Sequence, residues 1–284
     1  MSPQSVDDAV ALMAEYGGKA KLLAGGQSLI PIMKLRLASP RVVVDLNRIP
    51  DLSGIHEEKD AVVIGAMTRH REIERSPLLR EHYPLLTDAA ALLADPLVRN
   101  RGTMGGSLAH ADPASDWGTA LLALGADLEI RGAKGNRTVA IDEFFKDSFT
   151  TVLAPHELLT RIRLSKPAPH SGSAFSKLKR KTGDFATVSA AVSLTLEGGS
   201  RAHHVRVALG GVGPSPLRAH HAEKALEGIT TDSAAILHAA QLAPEDSRPT
   251  EDLRGSIAYK KAMVNVYAHR AFARALERAQ GRKG

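Results

Sequence analysis

The sequence predicts an α+β fold in two regions, a larger one reaching to about residue 168 and a smaller one from 172 built on an antiparallel sheet. Three observations predict it. Short apolar runs of strand length alternate with helically periodic segments through the first 164 residues. The stretch 165–173, Ser-Lys-Pro-Ala-Pro-His-Ser-Gly-Ser, concentrates turn formers and reads as a linker. Beyond it, three strand-like runs follow one another across glycine turns, as hairpin-connected strands do. With 284 residues, 43% of them hydrophobic and 24% charged, the chain can fill real cores, which excludes wholesale disorder.

Each element has its own signal. Ser5 with Asp8 resembles a capping box, and Val6, Ala9, Val10, Met13 and Tyr16 recur at helical spacing until Gly17-Gly18 ends the helix. Residues 19–23 form a strand that runs into a glycine loop, and 28–37 form a short helix with Pro31 near its first turn. Strands are expected at 42–45 and 61–66, and helices at 68–75 and 83–94. Asp95-Pro96 breaks the latter, since a residue before proline avoids the helical region. A second glycine loop, 103–107, leads towards an apolar helix over 116–124. Strands then read at 127–131, 138–141 and 158–164, and past the linker at 174–181, 187–196 and 203–209. Helices close the chain at 222–227, 233–241 and 255–279.

Composition excludes several functions. No run approaches the roughly 18 to 20 apolar residues of a membrane span. The acidic start MSPQSVDDAV lacks the layout of a secretory signal or an Arg-rich transit peptide, so a cytoplasmic protein is expected. Without cysteine there is no disulfide framework, no thiol catalysis, no Cys-ligated zinc and no iron–sulfur cluster on this chain. The net charge is +6 and unevenly placed. Seven basic residues and no acid lie between Arg161 and Lys181, and eight basic against three acidic residues follow from Glu251 onward. Such a surface suits an acidic partner, a phosphate ligand, anionic lipid or nucleic acid, or is simply a solvated face. Phe175 is the one aromatic within 161–181 and no nucleic-acid motif stands near it, so no nucleic-acid partner is expected.

The strongest chemical signal is a pair of similar segments, Ala24-Gly25-Gly26-Gln27-Ser28-Leu29 and Thr103-Met104-Gly105-Gly106-Ser107-Leu108. Glycine allows positive φ and close approach of backbone to a ligand. Successive amides can then converge on an anion, beside a helix start carrying about half a positive charge. Either segment alone is more readily a tight turn. The pair, with matching endings, points to two grips on one diphosphate, with Ser28, Thr103 and Ser107 adding hydroxyls. Neither is a P-loop, for no Gly-Lys-Ser/Thr follows, and neither has the three-glycine Rossmann spacing. Gly211-Val212-Gly213, followed by Pro214 and Pro216, is a turn.

These segments, together with the run from Val98 through Ala109-His110-Ala111-Asp112-Pro113-Ala114-Ser115 to Asp116, the run Lys177-Leu178-Lys179-Arg180-Lys181-Thr182-Gly183-Asp184-Phe185-Ala186, and Val207 to Gly213, resemble the FAD-binding medium subunit of the molybdenum hydroxylase (xanthine dehydrogenase) family. Within it the chain is most similar to the aerobic carbon-monoxide-dehydrogenase type. The resemblance implies a two-part FAD-binding domain of the vanillyl-alcohol-oxidase/PCMH type, 1–56 and 57–168, followed by an α+β domain, 172–284, that closes over the flavin. It implies that Leu23, Ala24, Gly25, Gly26, Gln27, Ser28 and Leu29 make the first pyrophosphate contact and Thr103, Met104, Gly105, Gly106 and Ser107 the second. Asp116 would accept from ribose or polyol hydroxyls, Leu159 would lie against the ring system, Phe185 would cover a flavin face and Lys177 would touch the cofactor.

The implied role is electron transfer in a heterotrimer, as a dimer of heterotrimers. A molybdopterin-binding large subunit oxidises the substrate, a [2Fe–2S] small subunit relays electrons, and FAD here passes them to an external acceptor. No general acid or base and no metal site is expected on this chain. Alternatives are a self-sufficient FAD-dependent oxidase or reductase of the same fold, and a non-enzymatic phosphate- or nucleic-acid-binding protein. The chain departs from the family in its short lead into the first helix, in Trp117 where a smaller residue is usual, and in lacking the cysteine-bearing insertion of the hydroxybenzoyl-CoA reductase branch. His156-Glu157 lacks the second histidine of a zincin, His110 with Asp112 lacks a third ligand, and His203-His204 and His220-His221 read as exposed turns.

Overall fold

A computed structural model of the chain describes residues 1–281 and divides them between two compact units. The first is drawn from Met1–Ile73, Asp95–Ala111 and Ala126–Ser165, the second from Glu74–Ala94, Asp112–Gly125 and the chain from Lys166 onward. The stretch 57–168 therefore contributes to both. The expected C-terminal domain, 172–284, and the basic count after Glu251 include 282–284, which lie outside the described residues.

In the first unit, Ser5 caps the helix Val6–Tyr16 by accepting from the Asp8 amide at 3.1 Å. The buried face of that helix, Ala9, Val10 and Met13, packs with Ala20, Val44, Leu46, Ile49, Leu52, Met67 and Leu158. Beside it the strands Ala20–Leu23 and Val42–Asp45 pair in parallel. Met1 extends the pairing, its ammonium donating to the Val43 carbonyl at 2.9 Å and its carbonyl accepting from Asp45 N at 2.8 Å. A five-stranded antiparallel sheet completes the unit in the order Ile55–Glu57, Ala61–Gly65, Leu158–Ser165, Asp127–Gly132, Gly135–Ala140. All of Ala61–Gly65 is buried, as an unbroken apolar run requires.

The second unit is a four-stranded antiparallel sheet, Ser171–Leu178, Val188–Glu197, Arg201–Gly210 and Leu217–Arg218, covered on both faces. On one face Val188, Ala190, Val192, Leu194 and Leu196 meet the helices His220–Leu226, Ser233–Leu242 and Ile257–Ala279. A Cβ on Gly172 would fall on the Ala275 carbonyl and within 2.5 Å of Ala279 N, so glycine is what lets the C-terminal helix lie this close to its strand. The helices Pro84–Leu92 and Asp116–Leu124 also pack against the sheet, the latter burying Trp117 completely.

Some expectations are corrected. The linker is shorter than predicted, because Ser171, Gly172 and Ser173 already pair with Thr195, Leu194 and Ser193. Asp95-Pro96 both ends one helix and starts another: Asp95 accepts from the Leu97 and Val98 amides at 2.8 and 2.9 Å, and Pro96 opens the helix Pro96–Arg101. His203 and His204 lie within a strand, and His220 and His221 open a helix. The basic run is largely matched side chain by side chain. Arg163 pairs with Glu58, Arg161 approaches Glu129 at 4.0 Å, Lys177 meets Asp116, Lys179 donates to the Leu92 carbonyl and Arg180 pairs with Asp184. Among the described residues no helix is long and apolar enough to cross a membrane.

Candidate functional site

The two glycine segments both lie in the first unit, and the structure brings them together. A Cβ on Gly25 would land on the Arg101 carbonyl and 2.6 Å from Gly102 Cα, and one on Gly106 would stand 3.1 Å from Ala24 Cβ. Side chains at either place would drive the segments apart. Gly26, at φ +75°, makes the turn that carries the strand Ala20–Leu23 into the helix Leu29–Lys34.

Along the first segment the carbonyls are held by donors of the protein. Ala24 O accepts from Asn47 Nδ2 at 3.1 Å, Gly25 O from Gln27 Nε2 at 3.2 Å, and Gly26 O from Ile30 N at 3.1 Å. A trans peptide points its N–H opposite its C=O. The amides of Gly25, Gly26 and Gln27 are thereby turned away from these donors, and none of them has a protein acceptor among the described residues. Three consecutive unclaimed amides at a glycine turn are the donors that an anion-binding concavity needs, with about 1.5–3 kcal/mol available from each bond to a charged acceptor. Gln27 shapes this turn through its side chain, which is spent on Gly25 O. Leu23, Ser28 and Leu29 flank it, half-buried.

The second segment differs from the expected loop. It is the first turn of a helix, Met104–His110, capped by Thr103, whose hydroxyl accepts from Gly106 N at 3.1 Å. Its amides are committed: Met104 N donates to Thr68 O, Gly105 N to Ala66 O at 2.8 Å and Ser107 N to Thr103 O. Met104 and Gly105 are core positions, with a Cβ on Gly105 falling 2.5 Å from Ala66 Cβ. What this segment presents at the junction is the bare Cα of Gly106, beside Ala24, with Ser107 following.

Sequence reasoning missed the groups behind the segments. Arg69 donates to the Arg101 carbonyl and, at 2.5 Å, to Asn47 Oδ1. His70 is buried against Gly102, where a Cβ would meet its Nε2 at 2.5 Å. Burial, with the charges of Arg69 and Arg99, pushes the His70 imidazole down to about 3. No motif marks these residues; the bonds arise from pairing across distant stretches of chain.

The remaining expected positions are built as follows. Leu159 is buried in the strand Leu158–Ser165 of the first unit. In the second unit Asp116 Oδ2 accepts from Lys177 Nζ at 2.7 Å, both side chains being almost wholly buried. Burial pushes the Asp116 carboxyl up while the Lys177 ammonium pulls it back. Among the described residues Asp116 Oδ1 is buried with no hydrogen-bond partner, an open acceptor that suits a ligand hydroxyl. Phe185 is 47% exposed, on a turn held by Asp184, which is paired to Arg180 and Arg254 at 3.2 and 3.3 Å. Among the described residues no group of three or more His, Cys, Asp or Glu is placed to hold a metal.

In the first unit the open main-chain donors of the glycine cradle fit a diphosphate, and in the second the orphaned buried oxygen of Asp116 fits a hydroxyl donor. Comparison with known proteins agrees. Residues 1–167 match the family model described as "FAD binding domain in molybdopterin dehydrogenase", and 173–275 match "CO dehydrogenase flavoprotein C-terminal domain". The chain is 44% identical to the carbon monoxide dehydrogenase medium chain of Hydrogenophaga pseudoflava, over 95% of this chain and 94% of that one. It is 36% identical to 6-hydroxypseudooxynicotine dehydrogenase complex subunit alpha of Paenarthrobacter nicotinovorans, over 98% and 94%. A solved structure of carbon monoxide dehydrogenase from Hydrogenophaga pseudoflava superposes with a TM-score of 0.94 at 46% identity, over 98% of this chain and 96% of that one. Quinoline 2-oxidoreductase from Pseudomonas putida 86 does so at 0.92 and 33%, with the same coverage. The chain belongs to the FAD-binding medium-subunit family of the molybdenum hydroxylases, and within it is similar to the carbon monoxide dehydrogenase medium chains.

Proposed function

We propose that this chain is the electron-transfer subunit of a cytoplasmic, heterotrimeric molybdenum hydroxylase of the carbon-monoxide-dehydrogenase type, assembled as a dimer of heterotrimers. A molybdopterin-binding large subunit oxidises the substrate, and a small subunit with [2Fe–2S] clusters delivers the electrons here for passage to an external acceptor. FAD, when bound, supplies the redox chemistry. The residues of this chain bind and orient it. The amides of Gly25, Gly26 and Gln27 take its diphosphate, Ser28, Leu29, Leu23 and Ala24 form the walls of that turn, and Thr103 with Gly106 and Ser107 closes the cradle. Asp116 Oδ1 accepts from a hydroxyl, with Lys177 holding the carboxylate in place. Leu159 and Phe185 supply apolar surface for the ring system.

The observation that carries this reading is the row of unclaimed amides at Gly25, Gly26 and Gln27, with the carbonyls of Ala24, Gly25 and Gly26 held by protein donors. The absence of cysteine agrees, because clusters ligated by cysteine must then lie on another chain. Tagged full-length chain, expressed with its natural partners, is expected to bring down two further chains, one with molybdenum and one with iron. It should carry one FAD. Gly106→Val should lose that FAD, since a branched side chain there displaces the Thr103 cap, 2.7 Å from the Cβ position. Full flavin retention in the variant would show that the cradle is elsewhere. Turnover of an organic donor by the isolated chain would show a self-sufficient oxidase instead.

A further inference from the structure

Behind the open amides of the first glycine segment stands a second layer of side chains with a charged root. Arg69 lies between the two segments. One arm of its guanidinium donates to the Arg101 carbonyl at the entry to the second segment, and the other to Asn47 Oδ1 at 2.5 Å. A cation on Oδ1 settles which end of the Asn47 amide faces which way. The Nδ2 end is therefore turned to the Ala24 carbonyl at 3.1 Å and to Asp45 Oδ1, which also accepts from Asn47 N at 3.0 Å.

The Ala24 carbonyl and the Gly25 amide belong to one planar peptide group. Pinning the oxygen to Asn47 thus aims the Gly25 N–H in the opposite direction. The chain of donors is also cooperative: a guanidinium polarises the Asn47 amide, which polarises the Ala24 peptide, which makes Gly25 N–H a stronger donor. The Arg101 carbonyl held by Arg69 is the same group that a Cβ on Gly25 would strike. One side chain therefore sets both the spacing of the two segments and the direction of the first open amide.

We propose that Arg69 and Asn47 are positioning residues for the diphosphate of the cofactor, acting through the Ala24–Gly25 peptide and the Arg101 carbonyl; this rests on the reading that the glycine cradle holds FAD. Lysine cannot replace Arg69, because a single ammonium does not span two acceptors in a fixed fork. Asn47 is exposed, so its truncation leaves the fold in place.

The test compares ligands with and without the diphosphate. Flavin-free full-length chain is titrated with FAD and with riboflavin, following flavin fluorescence, in the parent, Asn47→Ala and Arg69→Lys. Asn47→Ala is expected to weaken FAD about tenfold, the scale of one charge-supported hydrogen bond, and riboflavin less than twofold. Arg69→Lys should show the same selective loss, with the melting temperature of the flavin-free chain unchanged. FAD affinity within twofold of the parent in Asn47→Ala overturns the proposal. So does an equal loss for both ligands, which would mark a merely structural role. A parent chain that binds riboflavin as tightly as FAD would overturn the underlying assignment of the cradle instead. If Arg69→Lys does not fold, Asn47→Ala decides alone.

Discussion

His70 sits in the first unit with its ring against the Cα of Gly102, in a place from which water is excluded. Burial, reinforced by Arg69 and Arg99, lowers its affinity for a proton to about 3, against about 6.5 in an unfolded chain. Between those values the unfolded state binds a proton that the folded state does not. Stability therefore rises with pH across this window, and is lost on acidification from about 6.5 downward. One proton of difference corresponds to about 1.4 kcal/mol per pH unit. His70→Asn should remove that component. Urea unfolding of parent and variant between pH 7 and 5, above the range where carboxylates titrate, should show the parent weakening with acid more steeply than the variant. Parallel curves would mean that the imidazole is hydrated or already charged in the native state.

At the scale of elements, Asp88 shows how a helix from the middle of the chain is tied to one at its end. It projects from the helix Pro84–Leu92 and receives Arg278 at 2.7 Å and Arg274 at 3.2 Å, both from the helix Ile257–Ala279. Arg278 also donates to Ser173 O at 2.6 Å, so the same cation ties in the first sheet strand. Asp88→Ala would leave Arg278, 16% exposed, with its charge uncompensated. A cost of about 2 kcal/mol is expected, part of the charge being screened by solvent. Chemical denaturation should report it, and adding Arg278→Met should recover part of it; an Asp88→Ala midpoint equal to the parent's would show the pair to be energetically idle. This tie was invisible in sequence, for nothing in Leu-Leu-Thr-Asp distinguishes a pairing aspartate from a solvated one. The strand Val42–Asp45 and the helix Asp116–Leu124 were legible to their end residues, because apolar runs stop there at charged or glycine neighbours. The helix Met104–His110 was not, because two glycines oppose helix formation locally and donors to Thr68 and Ala66 override them. The three-residue strand Ile55–Glu57 is too short to show a period. Of the candidate site, the glycine segments were legible as a repeated motif. Asn47, Arg69 and His70 were not, since their partners are set by tertiary pairing.

At the scale of the whole molecule, the linear and spatial divisions of the chain differ. The family models meet between residues 167 and 173, yet the unit containing the C-terminal sheet also takes in Glu74–Ala94 and Asp112–Gly125. The reason lies in the sheet. Along Val188–Glu197 the odd residues Ser189 and Ala191 are as fully buried as Val188, Ala190 and Val192, so neither face tolerates water. The helices His220–Leu226, Ser233–Leu242 and Ile257–Ala279 cover one face with residues that follow the linker. Asp116–Leu124, with the fully buried Trp117, and Pro84–Leu92 add cover from segments that precede it. A fragment beginning at residue 172 would keep the first cover and lose the second. It would leave Lys177 without Asp116, an unpaired cation where the native chain has a buried pair, and Arg278 without Asp88. Expressed alone, 172–281 is therefore expected to show near-native helix content by far-ultraviolet circular dichroism, to bind a hydrophobic dye and to melt without a sharp transition. A cooperative melt with no dye binding would show that the sheet needs only the helices that follow it.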